Sequence, residues 1–154
     1  MPNDITEQTW IMQDNLSHLR RIAGWSTGEF AELLGITRQT LHNLENKKVR
    51  LTRMQYIALR AIFECELPGN SILARVMCLL FHATPSVYAV CDEAEIHAAL
   101  SAVAAVLSSS KDSFFAVVTN TQIDHLLSPL MHHLSISIPS STLDLRWLQQ
   151  ELPL

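Results

Sequence analysis

Glycine is scarce in this chain, and none of its four glycines lies after Gly69. The P-loop and the GxGxxG loop both need glycines so that the backbone can approach a phosphate group. The absence of glycine after Gly69 therefore excludes a nucleotide site of either kind from the second half of the chain. Cysteine is scarce as well: Cys65, Cys78 and Cys91 are odd in number and form no CxxC pair. They fit reduced, buried thiols better than a disulfide framework or a zinc knuckle.

Long apolar runs are also missing. No run reaches the roughly 18 residues of a membrane-spanning helix, and the apolar stretch at residues 72–81 is interrupted by Arg75. The first residues, MPNDITEQ, carry acidic side chains where a secretory signal needs basic residues and an apolar stretch. We therefore expect a cytoplasmic protein with no membrane partner. Its 154 residues, 48% of them hydrophobic, are enough for one domain or two small ones.

Basic and acidic residues are unevenly distributed along the chain. The formal net charge of −4 by itself argues against a nucleic-acid partner. Residues 20–60, however, hold eight basic and three acidic residues, a local charge of +5. Residues 67–154 hold three basic and seven acidic residues, a local charge of −4. This asymmetry predicts that the first part of the chain meets a polyanion and the second part does not.

The clearest break in the chain is the LPGN segment at residues 67–70. Proline and glycine together stop a helix, and Asn70 can cap the next one. We place a domain boundary there, with a first domain at residues 1–67 and a second at residues 70–154.

Four helices are predicted in the first domain from capping residues and apolar spacing. The second helix begins with an S-x-x-E capping box and ends at a glycine, and the fourth begins with a T-x-x-Q box. The residues that mark these helices are Met12, Leu16, Leu19, Ala23 and Gly24 for the first, Ser26, Glu29 and Gly35 for the second, Thr37, Leu41 and Leu44 for the third, and Thr52 and Gln55 for the fourth.

The second domain alternates between helical and strand-like patterns. Strands are predicted at residues 86–91 (SVYAVC), 114–119 (FFAVVT) and 135–138 (SISI), because these runs are rich in strand-forming residues. Helices are predicted at residues 70–82, between the strands, and in a last short segment around Trp147. The expected fold class is α+β overall, an all-α first domain followed by a small α/β domain with a parallel sheet. Residues 86–91 could equally continue the preceding helix.

The segment GEFAELLGITRQTLHNLE, residues 28–45, predicts two helices joined by a tight turn at Gly35. Ala31 is small enough for the helices to cross closely, and glycine tolerates the left-handed backbone of such a turn. Polar side chains on an exposed helix in a basic segment suit the major groove of DNA, where base edges present donors and acceptors. The side chains left for solvent or a partner are Arg38, Gln39, Thr40, His42, Asn43 and Asn46.

With LRRIAGWS before it and an amphipathic fourth helix after it, this segment resembles the helix-turn-helix domain of lambda-type phage repressors and of the Xre group of bacterial regulators. The A-x-x-x-G spacing, the T-x-x-x-L-x-x-L-E-N run and the preceding L-R fall at that family's spacings, within residues 13–66. The resemblance implies an all-α, lambda-repressor-like domain. It also implies that the chain binds double-stranded operator DNA as a homodimer, with the third helix in the major groove.

The resemblance implies roles for individual residues. It assigns base contacts to Arg38, Gln39, Thr40 and Asn43, and phosphate contacts to Thr27, His42, Asn46, Lys47 and Lys48. Arg20 and Glu45 fall where the family forms an ion pair between the first and third helices, which we interpret as structural. The chain departs from the family at two positions. Lys47 stands where glycine is common, so either Asn46 or Lys47 takes the left-handed turn or the loop differs from the family's. Thr27 stands where glutamine is usual.

The same residues have plainer interpretations. The polar face of the third helix could be simply solvated, and the basic loop after it could be ordinary surface charge. His125, His132 and His133 lie on one predicted helix, but spacings of seven and eight are not the i, i+4 pair of a helical zinc site. We therefore predict no metal site and no cofactor.

Catalytic arrangements are weak in this sequence. Cys91 is followed by Asp92 and Glu93, and neighbouring acids raise the pKa of a thiol, which is the wrong direction for a nucleophile. A self-cleaving repressor needs a serine–lysine pair, and the lysine available in the second domain is Lys111, in a polar loop. We therefore predict that the chain is not an enzyme.

These features predict a sequence-specific DNA-binding transcriptional regulator. Repression by operator occupancy is its simplest mechanism, and activation is the alternative. The acidic second domain is assigned to dimerisation or sensing, because its alanine-rich helix at residues 94–107 permits close helix packing. No residue pattern identifies an effector. The alternative is an antitoxin-like or adaptor protein whose second half binds a protein partner.

Overall fold

The structure is a computed structural model, and it describes residues 5–109, 116–132, 134–135 and 147–148. The chain divides into two compact units. The first comprises Met1–Leu73 together with Pro139–Leu154, and the second comprises Ala74–Ile138. The C-terminal segment is thus grouped with the N-terminal unit, although it is separated from it by the whole second unit in sequence.

Five helices and a 3-10 turn make up most of the first unit. Asn15 divides the helix that the sequence predicted to end near Gly24 into two. Its backbone is non-helical, and its Nδ2 donates to Ile11 O at 2.9 Å, a local bond of the kind that competes with helix formation. The helices are α1 Ile5–Asp14, α2 Leu16–Ala23, α3 Thr27–Leu34, α4 Arg38–Glu45 and α5 Arg53–Glu66, and the 3-10 turn is Leu67–Gly69.

Side-chain caps begin three of these helices, as the sequence predicted. The hydroxyls of Ser26 and Thr37 each accept a hydrogen bond from the backbone N–H three residues later, at 3.1 Å. Thr52 and Gln55 form a reciprocal capping box at the start of α5. Each cap satisfies a first-turn N–H group that has no partner inside its helix.

A shared apolar core holds the helices of the first unit together. Helix α1 packs against α5, and α3 packs against α4. Trp25, Phe30 and Phe63 form an aromatic cluster with ring centroids 5.3–5.9 Å apart. The buried apolar side chains include Met12, Leu16, Leu19, Phe30, Ala31, Leu41, Leu44, Tyr56, Leu59 and Phe63. Burial of these side chains is the main source of stability for the unit.

The C-terminal segment contributes Trp147 to the first unit. The indole ring is only 7% exposed, and it lies edge-on to Tyr56 with 6.5 Å between ring centroids. The guanidinium of Arg60 sits 4.5 Å from the centre of the same indole. In the predicted last helix, Trp147 and Leu148 are described and helical, and the rest of it lies outside the described residues.

The second unit is built on the helices that follow the LPGN break. Asn70 caps the first of them, as predicted, because its Oδ1 accepts from Leu73 N at 3.0 Å. An ion pair joins Arg75 to Asp124. The elements are α6 Ser71–Met77, whose first three residues are grouped with the first unit, a π-helical segment Cys78–His82, α7 Val87–Val90, α8 Glu93–Ser109 and α9 Ala116–Met131. Helices α8 and α9 pack together through apolar residues that include Ile96, Leu100, Val103, Ile123 and Leu127.

The predicted α+β fold class, with a C-terminal α/β domain and its parallel sheet, is wrong. Among the described residues no β-strand occurs, and Thr84 and Ser135 form a single isolated bridge. Residues 87–90 of the first predicted strand form α7 instead, and residues 116–119 of the second belong to α9. Residues 114–115 and 136–138 lie outside the described part. Short apolar runs fit a buried helix as well as a buried strand, and here packing against other helices decided between them.

Among the described residues, no helix is both long enough and apolar enough to cross a membrane. The longest described helix, α8, has 17 residues.

Candidate nucleic-acid interface

Helices α3 and α4 are joined by a turn of three residues. Gly35 ends α3 with φ 70°, a left-handed conformation that glycine adopts without steric cost. Its N–H donates to the carbonyl oxygen of Glu32, and the N–H of Ile36 donates to that of Ala31. Thr37 then caps α4. The predicted turn is therefore present, with its glycine in the left-handed conformation.

Helix α4 presents a polar face to solvent. Leu41 and Leu44 are almost fully buried on its inner side, which fixes the rotation of the helix about its axis. The outer side carries Arg38, Gln39, Thr40 and His42, which are exposed, and Asn43, which is half-buried. The four residues predicted to contact bases thus all belong to one helix whose opposite side is anchored in the core.

Several of these polar side chains are ordered by bonds to one another. Gln39 Nε2 donates to Asn43 Oδ1 at 3.0 Å, one helical turn away. The hydroxyls of Thr37 and Thr40 lie 2.8 Å apart. These amide and hydroxyl groups have further donors and acceptors that can form hydrogen bonds with a partner.

Arg38 reaches across to the first turn of α3. A Cβ atom at Gly28 would lie 2.6 Å from Arg38 Nη2, so the glycine leaves the space that the guanidinium occupies. Thr27, the residue before Gly28, is exposed at the N-terminus of α3. The structure therefore places a predicted base contact, Arg38, against Gly28, the residue that follows the predicted phosphate contact Thr27. The N-terminus of α3 carries partial positive charge, so both groups favour an anion.

Arg20 and Glu45 form an ion pair between α2 and α4. Arg20 Nε lies 2.6 Å from Glu45 Oε1, and the two side chains are 12% and 10% exposed. Arg20 Nη1 also donates to the carbonyl oxygen of Trp25 at 3.0 Å. The pair therefore ties the last turn of α4 to the segment that precedes α3, away from the outer face of α4.

The basic loop, residues 46–51, follows α4. Asn46 ends the helix, and its Nδ2 donates to the carbonyl oxygen of His42 at 2.8 Å. Lys47 takes the left-handed conformation with φ 60°, one of the two positions at which the sequence predicted it. Lys48 and Arg50 are exposed.

Lys47 faces α1 with its ammonium group. The Nζ atom forms an ion pair with Asp14, whose side chain is fully buried, and lies 5.8 Å from the centre of the Trp10 ring. Lys47 was predicted to contact phosphate, but its charge already has a partner within the unit. Lys48 and Arg50 therefore present the exposed charge of the basic loop.

Sequence reasoning missed Gln13, which makes three hydrogen bonds to the backbone around the basic loop. Its Nε2 donates to Leu44 O at 3.0 Å and to Val49 O at 2.7 Å, and its Oε1 accepts from Leu51 N at 3.0 Å. Asp14, the partner of Lys47, was missed as well. No local pattern identifies such residues, because their partners lie more than thirty positions away.

The other candidate residues of the sequence belong to the second unit. Burial raises the pKa of the Cys91 thiol, and the carboxylates of Glu95 and Asp92 raise it further. A raised pKa leaves less thiolate at neutral pH, which disfavours a nucleophilic role. His125 and His132 are exposed on α9 or at its end, and Lys111 and His133 lie outside the described residues.

Comparisons with known proteins identified no relative: no family model, no curated protein and no solved structure matches the chain. The interface is therefore characterised by its own geometry, an outward polar face on α4 flanked by the N-terminus of α3 and by the basic loop.

Proposed function

We propose that this chain is a sequence-specific DNA-binding regulator of transcription that places α4 in the major groove. The observation that carries the proposal is the outer face of α4, where Arg38, Gln39 and Thr40 are exposed while the inner side of the helix is anchored in the core. Guanidinium, amide and hydroxyl groups are the side chains that pair with base edges in that groove. Asn43 completes the set of base contacts.

Phosphate contacts are assigned to groups on either side of α4. The first turn of α3, with Thr27, offers backbone N–H groups to a phosphate. His42, Asn46 and Lys48 lie at or beyond the C-terminal half of α4 and are exposed. Arg50 adds a further charge. Such contacts fix the orientation of a protein on the duplex and make binding depend on salt, while base contacts carry sequence preference.

The regulatory mechanism in this proposal is repression by operator occupancy. A homodimer on a two-fold symmetric operator places two copies of α4 about 34 Å apart, one turn of DNA. The second unit is assigned to dimerisation or sensing. This arrangement requires neither a cofactor nor a catalytic residue of the chain.

Selection of bound sequences from a pool of random duplex DNA tests the proposal. Three proteins are compared: the wild-type chain, the double variant Arg38→Ala/Gln39→Ala, and a matched control, Arg75→Ala/Gln122→Ala. The control removes the same two residue types from the second unit. We expect the wild type and the control to enrich the same motif. The Arg38→Ala/Gln39→Ala variant should lose about a hundredfold in affinity for it, since each two-bonded base contact contributes about 1–3 kcal/mol.

A palindromic motif would also indicate that the protein binds as a dimer, and the separation of its half-sites would give the separation of the two α4 helices. A motif that survives the Arg38→Ala/Gln39→Ala change would remove α4 from the role of base-contacting helix. Absence of any enriched sequence would contradict the proposed function. That result would favour the antitoxin-like or adaptor alternative, in which the exposed face of α4 binds protein.

A further inference from the structure

Gln13 joins the end of α4 to the start of α5 through a single side-chain amide. Its Nε2 donates to Leu44 O in the last turn of α4 and to Val49 O in the basic loop. Its Oε1 accepts from Leu51 N, just before the Thr52 cap of α5. The side chain is 7% exposed, so these bonds are shielded from water. The amide thus holds both ends of the basic loop against α1.

The neighbouring residue of α1 holds the middle of the same loop. Asp14 pairs with Lys47, the residue at the left-handed turn. Within the loop, Lys48 N donates to Asn43 O at 2.9 Å. The backbone of the loop is therefore fixed from two directions, by α4 and by α1. This leaves Lys48 and Arg50 exposed on a loop whose course is set.

Order in this loop matters for binding to a polyanion. A charged side chain on a mobile loop loses conformational freedom when it contacts a phosphate, and that loss reduces affinity. A loop that is already fixed in the free protein avoids much of the loss. The three hydrogen bonds of Gln13 go to the backbone on either side of and within the loop, so it acts on phosphate contacts through the loop.

We propose that Gln13 is a positioning residue that fixes the basic loop for contact between Lys48, Arg50 and DNA phosphates. The inference rests on the proposed function, because it assigns the loop to the same interface. It extends that function to α1, which carries none of the predicted contact residues.

Gln8 provides a matched control on the same helix. It has the same exposure as Gln13, 7%, and it too accepts hydrogen bonds through its amide. Its partners are Tyr56 OH at 2.6 Å and Arg60 Nη1 at 3.2 Å, both on α5 and away from the basic loop. Replacement of either glutamine removes a buried amide, but only one replacement releases the loop.

The test compares the full-length wild type with Gln13→Met and Gln8→Met. Amide hydrogen exchange at Leu51 measures loop order, since its N–H is bonded to Gln13 Oε1. DNA affinity is measured across a range of salt concentrations, at a temperature where thermal melting shows all proteins to be folded. We expect Gln13→Met to lose the protection of Leu51 and to bind the selected DNA about tenfold more weakly. Its log–log salt dependence should be shallower by about 1 per protomer, one phosphate contact. Gln8→Met should retain both properties.

Gln13→Asn keeps the test decisive if Gln13→Met does not fold. The amide is retained on a side chain one methylene shorter, so it cannot reach all three backbone partners, and we expect partial protection of Leu51 and an intermediate affinity. Equal affinity and salt dependence for the Gln13 and Gln8 variants would overturn the inference. A wild-type protein that binds no DNA would defeat the proposed function and the positioning role with it. Loss of Leu51 protection in Gln13→Met would then still show that the loop is held by this residue.

Discussion

Lys47 combines an unfavourable backbone conformation with a favourable ion pair. Its φ of 60° lies in the left-handed region, where a residue with a Cβ atom is disfavoured by roughly 1–2 kcal/mol. The sequence predicted the left-handed turn at this position or at Asn46. Lysine is accommodated because Nζ reaches the buried carboxylate of Asp14. Lys47, which the sequence analysis assigned to a phosphate contact, therefore also has a structural role within the first unit.

We expect Lys47→Gly to destabilise the first unit by about 1–2 kcal/mol. Glycine relieves the backbone cost, but loss of the lysine removes the charge that faces Asp14, and breaking a buried pair costs about 3–5 kcal/mol. Because the lysine side chain is 43% exposed, the pair contributes less than a fully buried one, and the net loss of stability falls at about 1–2 kcal/mol. Urea unfolding of the full chain measures the effect.

Two variants complete this measurement. Lys48→Gly, at the next position, should change the free energy of unfolding by less than about 1 kcal/mol. Asp14→Asn/Lys47→Gly should be more stable than Lys47→Gly alone, since it removes the buried charge together with its partner. A Lys47→Gly protein more stable than wild type would show that the ion pair contributes less than the left-handed backbone of Lys47 costs.

Individual elements were predictable where their signals are local. The caps at Ser26, Thr37 and Thr52 bond to groups three residues away, and such bonds leave a pattern in the sequence. The turn at Gly35 is local for the same reason. These signals located α3, α4 and α5, and with them the polar residues of the candidate interface.

Elements that depend on packing were not predictable in this way. The runs at 86–91 and 114–119 favour strands by composition, yet residues 87–90 and 116–119 are helical. Their partners in the fold, not their own residues, determined the outcome. Gln13 illustrates the same limit within the interface, because its partners lie 31 to 38 residues away in sequence.

Thr37 links the stability of α4 to the proposed DNA contacts. Its hydroxyl accepts from Thr40 N and lies 2.8 Å from the Thr40 hydroxyl. Thr37→Ala removes the cap, which costs about 1 kcal/mol, and the first turn of α4 carries Arg38, Gln39 and Thr40. We expect lower stability by that amount and weaker binding to the selected DNA, measured by thermal melting and titration.

The conservative variant distinguishes the cap from other effects of the change. Thr37→Ser keeps the hydroxyl and should restore both stability and affinity to near wild type. Ser26→Ala is a comparison at the start of α3. It should cost a similar free energy while leaving the α4 contacts in place. If Thr37→Ser behaved like Thr37→Ala, the hydroxyl would not be the group that matters.

At the scale of the whole chain, the first unit is completed by residues from the far end of the sequence. Trp147 lies over Arg60 and Tyr56, which belong to a buried polar cluster. Arg60 is 2% exposed, donates to Gln8 and to Tyr56, and lies 3.7 Å from Glu64. A buried guanidinium needs such partners to offset its lost hydration. Truncation of the chain after the LPGN break would remove the indole that covers this cluster, so a truncated first unit is not a neutral test of the second.

Trp147→Ala in the full-length chain should therefore destabilise the first unit, although residue 147 follows the second unit in sequence. Removal of a buried indole costs about 3–5 kcal/mol in a core, and the loss includes its cation–π contact with Arg60, which contributes about 0.5–2 kcal/mol. Trp147→Phe keeps an aromatic ring over the guanidinium and should lose less than half as much.

Trp10→Ala is the control for removal of a tryptophan as such, because that ring is 42% exposed. Hydrogen exchange of α5 amides measures the effect locally. Unchanged α5 protection in Trp147→Ala would mean that the first unit is complete without its C-terminal segment.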